Sequence, residues 1–299
     1  MDNGVKNFRG ETKCIITCTF YLLKSLYFYI ILIGGNRNMF LEIKENNNSS
    51  VSFRLLEGIT YIVASSKIRK QFLLKLAGIN PSTTIYYNGQ LAFDNREYFK
   101  KRVFLDAKNE YLKTLNVEFI NSALQGYGLS IDNVRFKKAI KEYNVRNNAK
   151  YTSFYQFPIQ NNTLLNIALA KSLNNEIVII DNPLFDLDEK LIQDVIIDLK
   201  KANKIFVLGL DSFEGIKETS DKVIVISDHF ELYCLMPETE LIVIDEFAAI
   251  RNKIFIVKGK AVCLNDYSKD ELKEFAKKKI KVKQVTFSDW LKQNKGVKL

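Results

Sequence analysis

The chain has 299 residues and an apolar content of 47%, which suits one large folded domain with or without an appendage and excludes disorder over the whole length. Its formal charge is +10, from 44 Lys and Arg against 34 Asp and Glu. These cations are spread along the chain and no nucleic-acid-binding motif accompanies them, so we expect no nucleic-acid partner. The four cysteines show no metal-ligand spacing beyond one C-x-x-x-C pair in an apolar stretch, which favours thiols in a reducing cytoplasm.

Residues 1–38 differ in character from the rest of the chain. Within them, residues 14–35 form an apolar run near membrane-spanning length, interrupted by Lys24 and Ser25. A lysine near the centre of a span costs about 2.5–3.5 kcal/mol, and the small-residue cleavage site of a secretory signal is missing. Three interpretations stay open: an over-extended reading frame whose native start is Met39, a membrane anchor, or a helix that is buried or binds a partner.

A folded domain is predicted to begin at Met39. Its first predicted elements are, in chain order, a strand after Met39, strands within residues 52–65, a helix at Lys70–Ala77 and a strand at Ile85–Tyr87 that enters an Asn-Gly turn. Helical periodicity with many charges follows over residues 110–148. This pattern predicts a helical subdomain, which we place at about residues 107–165.

Strands and helices then alternate. The sequence predicts a strand at Ile177–Ile180, a helix at Glu189–Ala202, a strand at Ile205–Leu210, another helix and a strand at Val223–Ile226. Such alternation indicates a mostly parallel sheet that binds ligands at the carboxyl ends of its strands. After Asp228 short strands predominate, with a helix at residues 269–278 and a terminal helix around Trp290. We therefore expect an α/β domain at residues 39–228 and an α+β appendage at residues 229–299.

The segment IVIIDNPLFDLD (residues 177–188) carries the strongest functional signal. Four β-prone residues bring Asp181 to a strand end, and Asn182 follows it. In P-loop NTPases a carboxylate at this place helps to hold the magnesium ion of a bound nucleotide. Together with four other segments in the same order, it resembles the ATP-binding subunit of an ABC transporter over about residues 39–228. The resemblance implies a P-loop NTPase-like α/β fold, a mostly parallel sheet flanked by helices, with an inserted helical subdomain.

Residues 57–79 resemble the strand, P-loop and following helix of that family. A working loop reads G-x-x-x-x-G-K-[ST]: its glycines let backbone N–H groups surround the phosphates, its lysine binds the β- and γ-phosphates, and its hydroxyl ligates magnesium. The matching positions here are Ala64, Arg69, Lys70 and Gln71, so only the lysine is kept. A side chain at position 69 raises the energy of the backbone conformation that a P-loop adopts around the phosphates. Lys70 alone is also what the solvated face of an amphipathic helix would carry.

Other positions of the family pattern are replaced as well. The resemblance places Asp106 at the Q-loop glutamine, Ile159–Thr163 at the signature motif, Asn182 at the catalytic glutamate and Asp211 at the switch histidine. An amide cannot accept the proton of an attacking water, and a carboxylate beside a triphosphate is repelled. The single histidine, His229, is expected on the surface.

The resemblance implies an ABC transporter ATP-binding subunit that couples to a separate membrane permease and has lost most of its catalytic residues, which makes it a pseudo-ATPase. If it binds a nucleotide, its expected cofactors are ATP and Mg²⁺, with Asp181 as the metal ligand. The alternative is that it binds no cofactor. Its expected partners are the permease, at the inner face of the cell membrane, and a second ATP-binding subunit, identical or different. Two alternatives stay open. One is a weakly active subunit that binds ATP through Lys70 and Asp181, with hydrolysis assisted by residues of a partner, and the other is a non-catalytic scaffold or regulator of the same fold.

Overall fold

The computed structural model describes residues 41–44, 52–106, 120–126, 128–143, 159–217, 222–245, 253–294 and 297–299. Residues Phe40–Leu299 form one compact unit. The predicted segment 1–38 and much of the predicted helical subdomain lie outside the described residues. Within the described ranges, no helix has the length and apolar character needed to cross a membrane.

A small antiparallel sheet comes first in the described chain. Its strands are β1 (Leu41–Lys44), β2 (Ser52–Leu55), β4 (Ile85–Tyr87) and β5 (Gln90–Leu91). They lie in the order β2-β1-β4-β5. Asn88 and Gly89 join β4 to β5 with positive φ angles of 48° and 83°, as a two-residue hairpin turn requires. The tight turn predicted from Asn-Gly is therefore confirmed.

The central sheet has six strands among the described residues, in the order β10-β9-β3-β8-β7-β6. They are β3 (Gly58–Val63), β6 (Arg102–Leu105), β7 (Ile177–Asp181), β8 (Ile205–Leu210), β9 (Lys222–Ile226) and β10 (Leu232–Leu235). Five of them run parallel, and β10 pairs antiparallel with β9 at the edge. Because helices cover both faces, β7 and β8 are buried along their whole length. This confirms the mostly parallel α/β fold.

The helices that accompany this sheet are α1 (Ser66–Leu76), α2 (Arg96–Lys101), α3 (Ile120–Gly126), α4 (Asn133–Glu142), α5 (Ile159–Ser172) and α6 (Glu189–Lys200). Two helix starts agree with the sequence: α6 begins at Glu189 as predicted, and α5 begins at the segment that resembles the signature motif. The start of α1 was predicted wrongly, at Lys70 instead of Ser66. The reason is the short connection from β3, since only Ala64 and Ser65 separate the strand from the helix.

The remaining elements form a second antiparallel sheet with two helices, here called the C-terminal module (residues 240–299). Its elements are β11 (Glu240–Ile244), β12 (Lys253–Val257), β13 (Lys260–Leu264), α7 (Lys269–Lys277), β14 (Val282–Thr286) and α8 (Phe287–Asn294). The strands lie in the order β12-β13-β11-β14. Strand β10 precedes the module and belongs to the central sheet.

An aromatic cluster attaches the C-terminal module to the central sheet. Phe213, which follows β8, is fully buried. Its ring centroid lies 5.5 Å from that of Phe255, 6.0 Å from that of Phe287 and 5.0 Å from that of Trp290. These rings belong to one apolar core that includes the central sheet. The module is therefore held by apolar packing on the segment that follows β8.

We predict that Phe213→Ala lowers the free energy of unfolding by about 3–5 kcal/mol, because it removes a buried ring and leaves a cavity between the two sheets. Urea denaturation measures this change. The matched control is Phe230→Ala, whose ring is 48% exposed and whose removal should change stability by less than about 0.5 kcal/mol. Equal losses from both variants would contradict the role of the cluster.

Candidate functional site

The predicted motif positions meet at the carboxyl edge of the central sheet. Strands β3, β7 and β8 are parallel neighbours, so their last residues, Val63, Asp181 and Leu210, lie at the same edge. The carboxyl edge of a parallel sheet is where α/β proteins place their ligands. The site is therefore built from the short segments that follow these three strands.

The connection from β3 to α1 contains no wrapped loop. Ala64 is buried and its N–H donates to the carbonyl oxygen of Leu210 at 3.2 Å. From Ser66 onward the backbone is helical, and the N–H of Arg69 donates to the carbonyl oxygen of Ser65 at 2.9 Å. The N–H groups of Ala64 and Arg69, which a P-loop would turn toward phosphate, are therefore used inside the fold.

Arg69 and Asp181 form a buried ion pair at the centre of this edge. Arg69 is 3% exposed and Asp181 6% exposed, and the Arg69 Nε–H donates to Asp181 Oδ1 at 2.6 Å. Burial raises the pKa of the Asp181 carboxyl, and the Arg69 guanidinium offsets that rise only in part. The carboxylate at the predicted magnesium position thus already has a cation, which the chain itself supplies.

Gly209 makes room for the arginine. It lies opposite Asp181 in the register of β7 and β8. A Cβ atom at Gly209 would lie 3.0 Å from Arg69 Cδ and 2.5 Å from Leu73 Cδ1, which is too close for ordinary packing. Sequence reasoning missed this residue, although an isolated glycine inside an apolar strand indicates that another group approaches closely.

Lys70 and Asp106 form a second pair, at the surface. The Lys70 Nζ donates to Asp106 Oδ2 at 2.7 Å, and the lysine side chain is 47% exposed. The structure therefore brings together two residues that lie 36 positions apart in sequence and that the resemblance assigns to the P-loop lysine and the Q-loop glutamine. Gln71, the next residue of α1, is exposed to solvent.

Asn182 and Asp211 follow the neighbouring strands β7 and β8. Asn182 has a positive φ of 49°, a conformation that asparagine tolerates better than most residues, and its N–H donates to the carbonyl oxygen of Gly209 at 2.8 Å. The carbonyl oxygen of Asp211 accepts from the N–H of Leu299 at 2.9 Å. The switch position is thus engaged by the C-terminal module. His229 is exposed, as expected.

The segment that resembles the signature motif (residues 159–163) contacts the segment that follows β7 (residues 182–188) near this edge. The Thr163 hydroxyl of α5 donates to the carbonyl oxygen of Phe185 at 3.1 Å. The Asp188 side chain accepts from the N–H of Leu191 at 2.8 Å and caps α6. The first segment therefore forms the start of helix α5, and the second provides the cap of helix α6.

These residues do not fit a magnesium-bound nucleotide in the observed arrangement. Magnesium requires oxygen ligands in near-octahedral geometry. Arg69 donates to one oxygen of Asp181, and its buried side chain contacts the neighbouring strand at Gly209. A metal ion would have to displace this guanidinium and leave it buried without its carboxylate.

A cavity of about 630 Å³ lies at the opposite, amino edge of the sheet, between the ends of α4, α5 and α6. Several of its charged side chains are paired: the Lys171 Nζ lies 2.8 Å from Asp198 Oδ2 and 3.6 Å from a carboxylate oxygen of Glu142. Lys204 donates to carbonyl oxygens at the end of α5, and burial lowers the pKa of its ammonium to about 8. This polar network is separate from the carboxyl-edge site.

No family model matches the chain, and no curated protein matches it significantly. Among solved structures, a protein assigned to cobalt transport as its ATP-binding protein (cbiO-2) aligns with a TM-score of 0.51 at 17% identity over 77% of this chain and 93% of that chain. A protein assigned as an ABC transporter ATP-binding protein from Pyrococcus furiosus aligns at 0.44, with 18% identity over 57% of this chain and 90% of that chain. CbiO1 from Clostridium perfringens, part of the ABC transporter complex cbiONQ, aligns at 0.45, with 10% identity over 63% and 85%. The first of these alignments shows that the chain has the fold of ABC transporter ATP-binding proteins.

We predict that Arg69→Met lowers the free energy of unfolding by about 3–5 kcal/mol, because Asp181 is then buried without a cation. The double variant Arg69→Met/Asp181→Val should recover most of that loss, since an apolar pair avoids the desolvation of two charges. Urea denaturation of the two single variants and the double variant gives the coupling energy.

Lys70→Met is the matched control for the single arginine variant. It removes the lysine of an exposed pair, so it should cost less than about 1 kcal/mol. If Arg69→Met were tolerated as well as Lys70→Met, or if the double variant were as unstable as the sum of its single variants, the proposed coupling would be wrong.

Proposed function

We propose that this protein is an ATP-binding subunit of an ABC transporter that couples to a separate membrane permease and no longer hydrolyses ATP. The observation that carries the proposal is the buried pair of Arg69 and Asp181. In P-loop NTPases the corresponding carboxylate helps to hold magnesium. Here the guanidinium of Arg69 neutralises the carboxylate, so the chain itself provides the positive charge that a magnesium ion would otherwise provide.

Further features support the loss of hydrolysis. The connection between β3 and α1 is too short to surround phosphates, and Lys70 binds the carboxylate of Asp106. Asn182 replaces the family's glutamate and cannot accept a proton from water. A subunit with these three features would keep the sheet and its partner surfaces while its nucleotide chemistry is lost.

The proposed partners follow from the fold. In the family that the sequence resembles, the helical subdomain docks on the permease, and two ATP-binding subunits face each other across their carboxyl edges. We infer that this chain lies at the inner face of the membrane through such a permease and pairs with an active subunit or with a second copy of itself. The chain shares its fold with a protein assigned to cobalt transport, and this shared fold supports the proposed transporter role. The transported substrate would be chosen by the permease.

We predict that calorimetric titration with Mg-ATP gives no saturable binding to the wild-type protein, because Arg69 competes with magnesium for Asp181. Lys70→Ala should give the same titration as the wild type, since its partner is a carboxylate of the chain and not a phosphate. Circular dichroism of both proteins checks that each is folded.

An active ABC ATP-binding protein serves as the positive control of the titration. Micromolar, saturable binding that Lys70→Ala abolishes would refute the pseudo-ATPase proposal and favour the weakly active alternative. Binding that exceeds the partner's own binding when a partner subunit is added, and that Lys70→Ala in this chain abolishes, would have the same meaning.

A further inference from the structure

The C-terminal module carries a dense run of positive charge. Residues 277–283 read KKKIKVK, five lysines without a carboxylate, and are here called the lysine segment. All five lysine side chains are exposed, while Ile280 and Val282 between them are partly buried. The two apolar residues therefore anchor the segment, and the ammonium groups face solvent.

Folding of the module does not explain this charge. Helix α7 has Asp270 and Glu271 in its first turn, ends at Lys277 and has Lys278 as its C-cap, so its dipole accounts for cations at these two last positions. The other three lysines lie beyond the helix. Lys279 has a positive φ of 58°, a conformation for which glycine is the favoured residue at a helix end. A lysine is therefore present where local backbone energetics favour a different residue.

The segment is also accessible. It includes the turn between α7 and β14, and β14 is an edge strand of its sheet. The one hydrogen bond that any of the five ammonium groups makes to another described side chain joins Lys283 Nζ to Gln293 Oε1 at 3.4 Å. The ammonium groups can therefore be reached from solvent without any rearrangement of the fold.

We propose that the lysine segment binds the surface of a bilayer that contains anionic lipids. Clusters of four to eight basic residues beside a membrane-spanning helix or on an amphipathic helix are typical of proteins that bind acidic lipid headgroups, and the lysine segment begins at the end of the amphipathic helix α7. Lysine is a hydrated point charge suited to such a diffuse surface, whereas arginine is preferred for bidentate contacts with bases and phosphates. The segment has neither an arginine nor an aromatic residue on which a base could stack. These features favour a lipid surface over a nucleic acid.

The test is co-sedimentation of the full chain with vesicles of phosphatidylcholine alone and of phosphatidylcholine mixed with phosphatidylglycerol. We expect binding to the anionic vesicles only, with an affinity that falls as salt shortens the range of the attraction. The variant Lys277→Gln/Lys279→Gln/Lys281→Gln/Lys283→Gln should lose this binding, because each lysine near the surface contributes about fivefold to the affinity. The assay contains no permease and no nucleotide, so its outcome is independent of the proposed function.

A charge-matched variant serves as the control. Lys67→Gln/Lys137→Gln/Lys190→Gln/Lys201→Gln removes four exposed lysines elsewhere and should bind anionic vesicles as the wild type does. Equal binding to neutral vesicles would overturn the proposal, as would binding that survives in the lysine-segment variant or is lost equally in the control. Binding of a DNA duplex without binding of vesicles would show that the segment recognises a nucleic acid instead.

Discussion

The buried contact between Arg69 and Asp181 determines how the rest of the carboxyl edge is arranged. Two charges that are 97% and 94% buried are stable together only when the geometry is tight, because each loses its hydration and must recover it from the other. The raised pKa of the Asp181 carboxyl indicates that desolvation is not fully offset even at a contact of 2.6 Å. The main effect of the pair is therefore to fix the positions of the residues around it, and its net contribution to the stability of the fold is smaller.

Two features of the fold depend on this constraint. Arg69 reaches Asp181 because α1 begins directly after Ser65, which places its fourth residue over the end of β7. Its side chain crosses β8 only because residue 209 has no Cβ atom. A P-loop of ordinary length would displace α1 from this position, and a larger residue in β8 would exclude the guanidinium. The shortened connection, Gly209 and Arg69 are thus physically dependent on one another.

The sequence predicted the framework better than the site. Apolar runs placed β7, β8 and β9 within one residue at each end, and α6 begins at Glu189 as predicted, because apolar periodicity is a local property of the chain. The start of α1 was wrong because the family pattern suggested a loop where the residues are helical. The partnership of Lys70 with Asp106 joins a helix to the end of β6, and such contacts depend on tertiary geometry that no local pattern contains.

The segment after β8 has a structural role at the position that the resemblance assigns to the switch histidine. In the resembling family this segment carries the switch histidine beside the phosphate, where it must stay free to respond to nucleotide. Here the carbonyl oxygen of Asp211 accepts from Leu299, and Phe213 is fixed among the rings of the C-terminal module. A segment held in this way cannot act as a nucleotide-dependent switch without breaking a buried aromatic cluster. This attachment agrees with the proposed loss of hydrolysis, because a subunit that does not hydrolyse ATP would not need this segment to move.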